Sequence, residues 1–204
     1  MPVLELALLS LAPPAPPLSA ETRVALLRAK AAMEAHSGNN FTFLQSAAAP
    51  RHVYVLGAWA SVDDHVRVFV PGAENQAVLR AVEGRVGVEW LGHFDVPLAG
   101  VLEVVQKGGC VIERFAVRME SRSDFEEAVG SWKNGIGGWR VDEPDAQYLE
   151  RPQNDEENVF VWFRPEGKAH EESEVKSLHG GGRKDGMQLL DRTAVTILDL
   201  ESQD

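Results

Sequence analysis

The chain has 204 residues, 44% of them hydrophobic and 25% charged, with a formal net charge of −11. That length allows one large domain or two of roughly 100 residues, each able to bury a core, and the apolar content is ordinary for a soluble globular protein. The acidic balance excludes a broad basic face for nucleic acid or anionic lipid, and no run approaches the ~20 apolar residues of a membrane span.

A single cysteine, Cys110, excludes an intramolecular disulfide and a thiolate metal cluster within one chain; alone, it reads as a small buried hydrophobe. The opening MPVLELALLSLAPPAPPLSA resembles a secretory leader only superficially. It lacks a basic start, carries Glu5 within the apolar run and breaks at Pro13, so an intracellular, cytoplasmic protein is expected.

Val3 to Leu11 is a first strand, ended by Pro13, Pro14, Pro16 and Pro17. A helix starts near Glu21 with Val24, Leu27, Ala31 and Ala35 on one face and Leu26 and Met33 opposite, and Gly38-Asn39 supplies a left-handed stop. Phe41 to Ser46 and Val53 to Trp59 follow as strands. Ser61 is a good N-cap, Asp63 and Asp64 suit the helix dipole, and Val62, Val66 and Phe69 form the expected buried stripe. Pro71-Gly72 interrupts that helix before a second piece with Val78, Val82 and Val86, and Val86 to Val96 is the returning strand.

The remainder repeats this order after a linker from Pro97 to Gly109. Val111 to Val117 is a strand, and Ser123 with Glu126 forms a capping box for a helix bearing Phe125, Val129 and Trp132. Gly137 to Val141 is a short strand, Pro144 to Glu157 an acidic connection that serves as lid or loop, and Asn158 to Arg164 a strong strand. His170 to Leu178 is a charged helical segment, and Thr193 to Leu200 closes the set. The fold class is therefore α+β, with two ferredoxin-like βαββαβ units, 1–105 and 106–204, packed sheet to sheet as a (pseudo)dimeric α/β barrel. The space between the sheets is the expected pocket.

Strand alternation selects the candidates for that pocket. Val88, Trp90, Phe94 and Val96 share one face of the fourth strand, while Glu89, Leu91, His93 and Asp95 share the other. Leu4, Leu6 and Leu8 form a uniformly apolar face of the first strand, whereas Glu5 lies opposite them, so Glu5 is expected to approach Glu89 and His93 inside the cavity. A histidine beside carboxylates in an apolar chamber is a reasonable general acid/base. His93, Glu89 and Glu5 are thus the catalytic candidates; Trp59, His65, Trp90, Tyr54 and Arg114 are the substrate-binding ones. Tyr54 and Trp59 lie on opposite faces of their strand, so only one can line the pocket. No two histidines have metal-binding helical spacing, no glycine-rich phosphate loop follows a strand, and GGGRK at 180–184 lacks the phosphate-loop spacing. No metal or other cofactor is expected.

The run YVLGAWASVDDHVRVF, followed by VEWLGHFDV, resembles the second half of an antibiotic-biosynthesis-monooxygenase-like module of the dimeric α/β-barrel superfamily, in the tandem form found in filamentous fungi. The resemblance spans residues 3–97; over 110–200 it rests on element order and the closing TAVTILDLE. It implies cofactor-free oxygenation of anthrone-like phenols, polyketide cyclisation by a histidine base, or a stress-induced protein without catalytic activity. Its residues carry over to Trp59, His65, Trp90 and His93, with no counterpart of His93 in the second unit, where Leu198 or a near neighbour falls in the equivalent region. The expected function is a monooxygenase or cyclase acting on an aromatic or polyketide-like molecule, with a non-catalytic ligand-binding barrel as the alternative. A monomer with an internal pseudo-dimer, or a homodimer, is the expected assembly.

Overall fold

The computed structural model describes residues 2–13, 18–141, 157–167 and 186–201. The prolines at 14, 16 and 17, most of the acidic connection 144–157, the helical segment 170–178 and the glycine run 180–182 lie outside the described residues. Among the described residues, no helix is long and apolar enough to cross a membrane.

The strands are β1 (Val3–Leu11), β2 (Thr42–Ser46), β3 (His52–Trp59), β4 (Val86–Phe94), β5 (Cys110–Arg118), β6 (Ile136–Trp139), β7 (Glu157–Pro165) and β8 (Met187–Ile197). They form a single antiparallel sheet in the order β4-β1-β3-β2-β8-β5-β7-β6. The two sheets expected from the sequence are therefore joined, through β2 and β8, where Leu44 lies opposite Ile197. The outer edges also meet. Phe94 bridges to Arg140, the Val141 N–H donates to the His93 carbonyl at 2.8 Å and the Asp95 N–H to the Trp139 carbonyl at 3.0 Å, which closes the eight strands into a barrel.

Alternation along the strands sorts side chains between the two faces of this sheet. Leu4, Leu6, Leu44, Leu56 and Phe94 meet Ile112, Val161, Phe163 and Val195 in one buried cluster inside the barrel. The space expected to hold a ligand is thus occupied by apolar packing from both halves. The segment read as a linker supplies a helix, α3 (Leu98–Val105), whose Val101, Val104 and Val105 join that cluster. On the outer face of β5 to β7, Phe115, Phe125, Trp132, Trp139, Phe160 and Trp162 form an aromatic core under α4 (Arg122–Gly130).

The outer face of β1 to β4 is covered by α1 (Ala20–Ser37), a π-helical turn over Asp64–Phe69, and α2 (Ala73–Val82). Thr22, Ala25 and Leu26 are the buried residues of α1, and Val24 is exposed. Gly38 ends the helix at φ +70 with its N–H bonded to the Glu34 carbonyl, as expected. The capping box at Ser123 does not form. Ser121 precedes α4 without a side-chain cap, and Glu126 instead accepts from Arg122 and from Trp139 Nε1, both at 2.9 Å.

Candidate active site

β1 and β4 are neighbours, and their register sets Glu5 directly opposite His93. Both side chains project to the same, helix-covered side of the sheet, because residues opposite one another in a ladder share a face. β1 also pairs with β3 and sets Glu5 opposite Gly57. A Cβ at Gly57 would overlap the Phe41 ring. The missing side chain thus lets Phe41 lie against β3, where its ring meets Trp59 edge-on at 5.2 Å between centroids.

The third partner descends from the helical layer. Ser61 caps the following segment as expected, its Oγ accepting from the Asp64 N–H at 3.1 Å. The turn then widens: the Val70 N–H donates to the His65 carbonyl at 2.9 Å, an i to i+5 bond. This wider spacing changes which residues face the sheet. His65 and Phe69 are buried, and Val62 and Val66 only partly, so the stripe read at α-helical spacing is displaced toward His65. Single π-helical turns of this kind recur at functional sites.

Glu5, His65 and His93 consequently meet beneath the π turn, at 4%, 5% and 0% exposure. His65 Nδ1 lies 2.8 Å from His93 Nε2 and 3.4 Å from Glu5 Oε2. Trp59 Nε1–H donates to the same carboxylate oxygen, and the Trp59 indole stacks on the His65 imidazole, 4.2 Å between centroids and 4° from parallel. Val3, Ala7, Phe41 and Phe69 surround the group. Toward the surface, His36 Nε2 of α1 lies 3.2 Å from Asp64 Oδ1, and its ring sits 5.3 Å from Phe69 and 6.0 Å from Trp59.

The expected candidates therefore divide. Glu5, His65, His93 and Trp59 converge, but on the helix side of the sheet and not between two sheets. The uniformly apolar face of β1 fills the barrel, and the face carrying Glu5 is the one beneath the helices. Glu89 is exposed on β4, four residues before His93, and does not join them. Trp90, Tyr54 and Arg114 form a separate group on the interior face. The Arg114 guanidinium carbon lies 3.8 Å from the Trp90 ring centroid, and Tyr54 Oη is 3.2 Å from both Asp191 Oδ2 and Thr193 Oγ1. Burial pushes the Tyr54 hydroxyl up to about 12 and the Cys110 thiol likewise to about 12, which leaves both neutral and makes Cys110 a poor nucleophile.

Asp191 escaped the sequence reading because β8 begins at Met187, six residues before the expected start; Thr193 lies in the expected strand, but its contact with Tyr54 depends on how the two halves meet. His36 and Asp64 were missed for a different reason. They belong to separate helical elements, and no sequence spacing announces their contact.

The second half contains a carboxylate in corresponding register. Glu113 on β5 lies opposite Arg192 on β8, as Glu5 lies opposite His93, while Leu198 falls beyond the end of β8. Glu113 is buried, with Oε1 2.8 Å from Arg192 Nε and Oε2 3.4 Å from Arg164 Nε. Its charge is balanced by guanidinium, whereas Glu5 faces imidazoles. Glu5, His65 and His93 each offer one donor atom within 4.8 Å of the other two, the one such metal-competent group among the described residues.

No protein-family model matches this sequence, and no curated protein matches it either. The fold is nevertheless shared with solved structures. A mutant chlorite dismutase from Candidatus Nitrospira defluvii is similar over 98% of this chain and 92% of its own, at a TM-score of 0.60 and 14% identity. An anthrone oxidase-like protein is similar over 97% and 92%, at 0.55 and 10%. A DypB variant from Rhodococcus jostii, in complex with heme, is similar over 98% and 93%, at 0.54 and 9%. These likenesses are of fold, of the ferredoxin-like type, and extend through both halves.

Proposed function

We propose that the protein is a small-molecule oxidative enzyme whose reaction takes place at Glu5, His65 and His93. The observation that carries this reading is the buried cluster in which His65 Nδ1 lies against both the Glu5 carboxylate and His93 Nε2. A carboxylate beside two imidazoles in contact makes a proton acceptor, because its negative charge balances the positive charge that the imidazole pair gains with a proton. The likeness of fold to an anthrone oxidase-like protein is compatible with such chemistry.

The substrate we infer is a flat aromatic or polyketide-like molecule with an activated C–H or phenolic O–H. It would enter by parting the 3.2 Å contact between His36 and Asp64, pack against Phe69 and Trp59, and lose its proton to His93. In the cofactor-free form of this reaction the resulting carbanion combines with dioxygen, and a CH2 group plus O2 gives C=O plus H2O without an external reductant. A second reading, a non-catalytic ligand-binding barrel, is favoured by one observation, the complete burial of His93.

We further infer that 1–105 and 106–204 are tandem units forming an internal pseudo-dimer, because β4-β1-β3-β2 and β8-β5-β7-β6 follow the same order. In this reading only the first unit keeps a reactive centre. The test is oxygen uptake with product mass analysis over a panel of anthrones and polyketide-like phenols, with His93→Ala as control. Uptake that depends on His93 supports the oxygenase. Product without oxygen uptake replaces it with a cyclase, and saturable binding without product replaces it with the ligand-binding barrel.

A further inference from the structure

We propose that Glu5, His65 and His93 form a binding site for one divalent first-row transition ion. Donor atoms held about 2.0–2.2 Å from a common ion, at angles between octahedral and tetrahedral, lie about 2.8–3.6 Å apart. The separations of 2.8 Å between His65 Nδ1 and His93 Nε2 and 3.4 Å between His65 Nδ1 and Glu5 Oε2 match that spacing. A direct imidazole–imidazole hydrogen bond explains the first distance alone. An ion explains why a carboxylate, two ring nitrogens and little else polar converge in an apolar layer.

The donor set defines the ion. Two imidazole nitrogens and one carboxylate oxygen suit zinc, iron, cobalt, nickel or copper, and are poor in oxygen for calcium or magnesium. Three protein donors also leave coordination positions open. The supporting contacts are those a ligand shell requires. Trp59 Nε1–H holds the carboxylate, the indole face fixes the plane of the His65 ring, and the β1–β4 register fixes Glu5 against His93. The second half supplies an internal contrast. Guanidinium groups of Arg164 and Arg192 stand at the Glu113 carboxylate, and guanidinium does not ligate metal.

The ion goes beyond the proton-acceptor reading and competes with it for one atom. With metal on His93 Nε2, that nitrogen has no lone pair for a proton. An added ion therefore inhibits turnover by the metal-free relay, and chelation restores it.

The test is binding of zinc alone to full-length protein stripped with chelator, read by calorimetry and by the rise in thermal midpoint. One equivalent is expected, with at least ~100-fold weaker binding in His93→Gln and Glu5→Gln and roughly 10–100-fold weaker binding in Trp59→Phe. His36→Gln should bind as wild type. Circular dichroism of each metal-free variant checks its fold. Independently of any variant, copper-loaded wild type should give an electron paramagnetic resonance pattern of two coordinated imidazole nitrogens. Binding that survives in His93→Gln, binding lost only in His36→Gln, or a copper pattern without two imidazoles overturns the proposal. Absence of zinc binding together with His93-dependent turnover overturns this site alone. Zinc binding together with metal-dependent turnover upholds the site and overturns the metal-free relay.

Discussion

Glu113→Gln should destabilise the protein far more than Glu5→Gln, although both carboxylates are buried on β strands in corresponding register. Glu113 faces Arg164, which is buried, at 3.4 Å, and Arg192, which is 44% exposed on its side chain, at 2.8 Å. Removing the negative charge takes away the balance to a buried guanidinium, a change that typically costs about 3–5 kcal/mol. The exposed Arg192 pair adds at most about 1 kcal/mol because solvent screens it. Glu5 differs in kind. Its partners are Trp59 N–H and an imidazole, and a glutamine carbonyl oxygen can still accept from the indole, so the expected cost is about 1 kcal/mol. The assay is urea unfolding of both variants in chelator. With a slope of roughly 2 kcal/mol per molar urea, Glu113→Gln should lower the midpoint by about 1.5 M or more and Glu5→Gln by about 0.5 M. Equal losses, or a larger loss at Glu5, would refute the distinction between a charge-balanced structural carboxylate and one retained for chemistry.

Three further outcomes follow from the packing. Stability should fall as pH rises from 10 to about 12, because Tyr54 stays neutral in the fold to about 12 while an unfolded tyrosine ionises near 10. At about 1.36 kcal/mol per unit, that loss is on the order of 2–3 kcal/mol. In alkaline denaturation, Tyr54→Phe should abolish this component, and an unchanged profile would sink the assignment. Phe125 is fully buried among Phe115, Trp132, Trp139 and Phe160, so Phe125→Ala should cost about 3–5 kcal/mol in urea unfolding; a loss below 1 kcal/mol would mean that this aromatic core is not packed as described. Gly57→Ala should displace the Phe41 ring from Trp59, giving altered indole fluorescence and a loss of about 1–3 kcal/mol, whereas an unaltered spectrum and stability would contradict the close approach.

Much of the fold was legible because local pattern and global topology agree in the first half. The alternation of β1 and the run from Val53 to Trp59 marked strands, and pairing of β1 with β4 brought Glu5 to His93 as expected. The face was assigned wrongly for a physical reason. A carboxylate on a sheet face suggests a pocket, yet Glu5 is accommodated under the helices by Trp59 and His65. His65 itself was seen only at the border of its helix, since α-helical spacing turns it aside and the π turn rotates it inward. The linker from Pro97 to Gly109 conceals α3 because that helix has only eight residues and no side-chain cap, leaving Val101, Val104 and Val105 as a short apolar signal. The pairing of His36 with Asp64 depends on how α1 docks, which no local pattern encodes.

The central claim is that reactivity belongs to the helix-covered cluster and not to the polar group inside the barrel. It is tested most directly by comparing His93→Gln and Arg114→Lys in one oxygen-uptake assay on the same aromatic panel, with both folds verified by circular dichroism. Loss of turnover in His93→Gln with retention in Arg114→Lys is the expected result. Retention in His93→Gln with loss in Arg114→Lys would move the active site into the barrel and contradict the account.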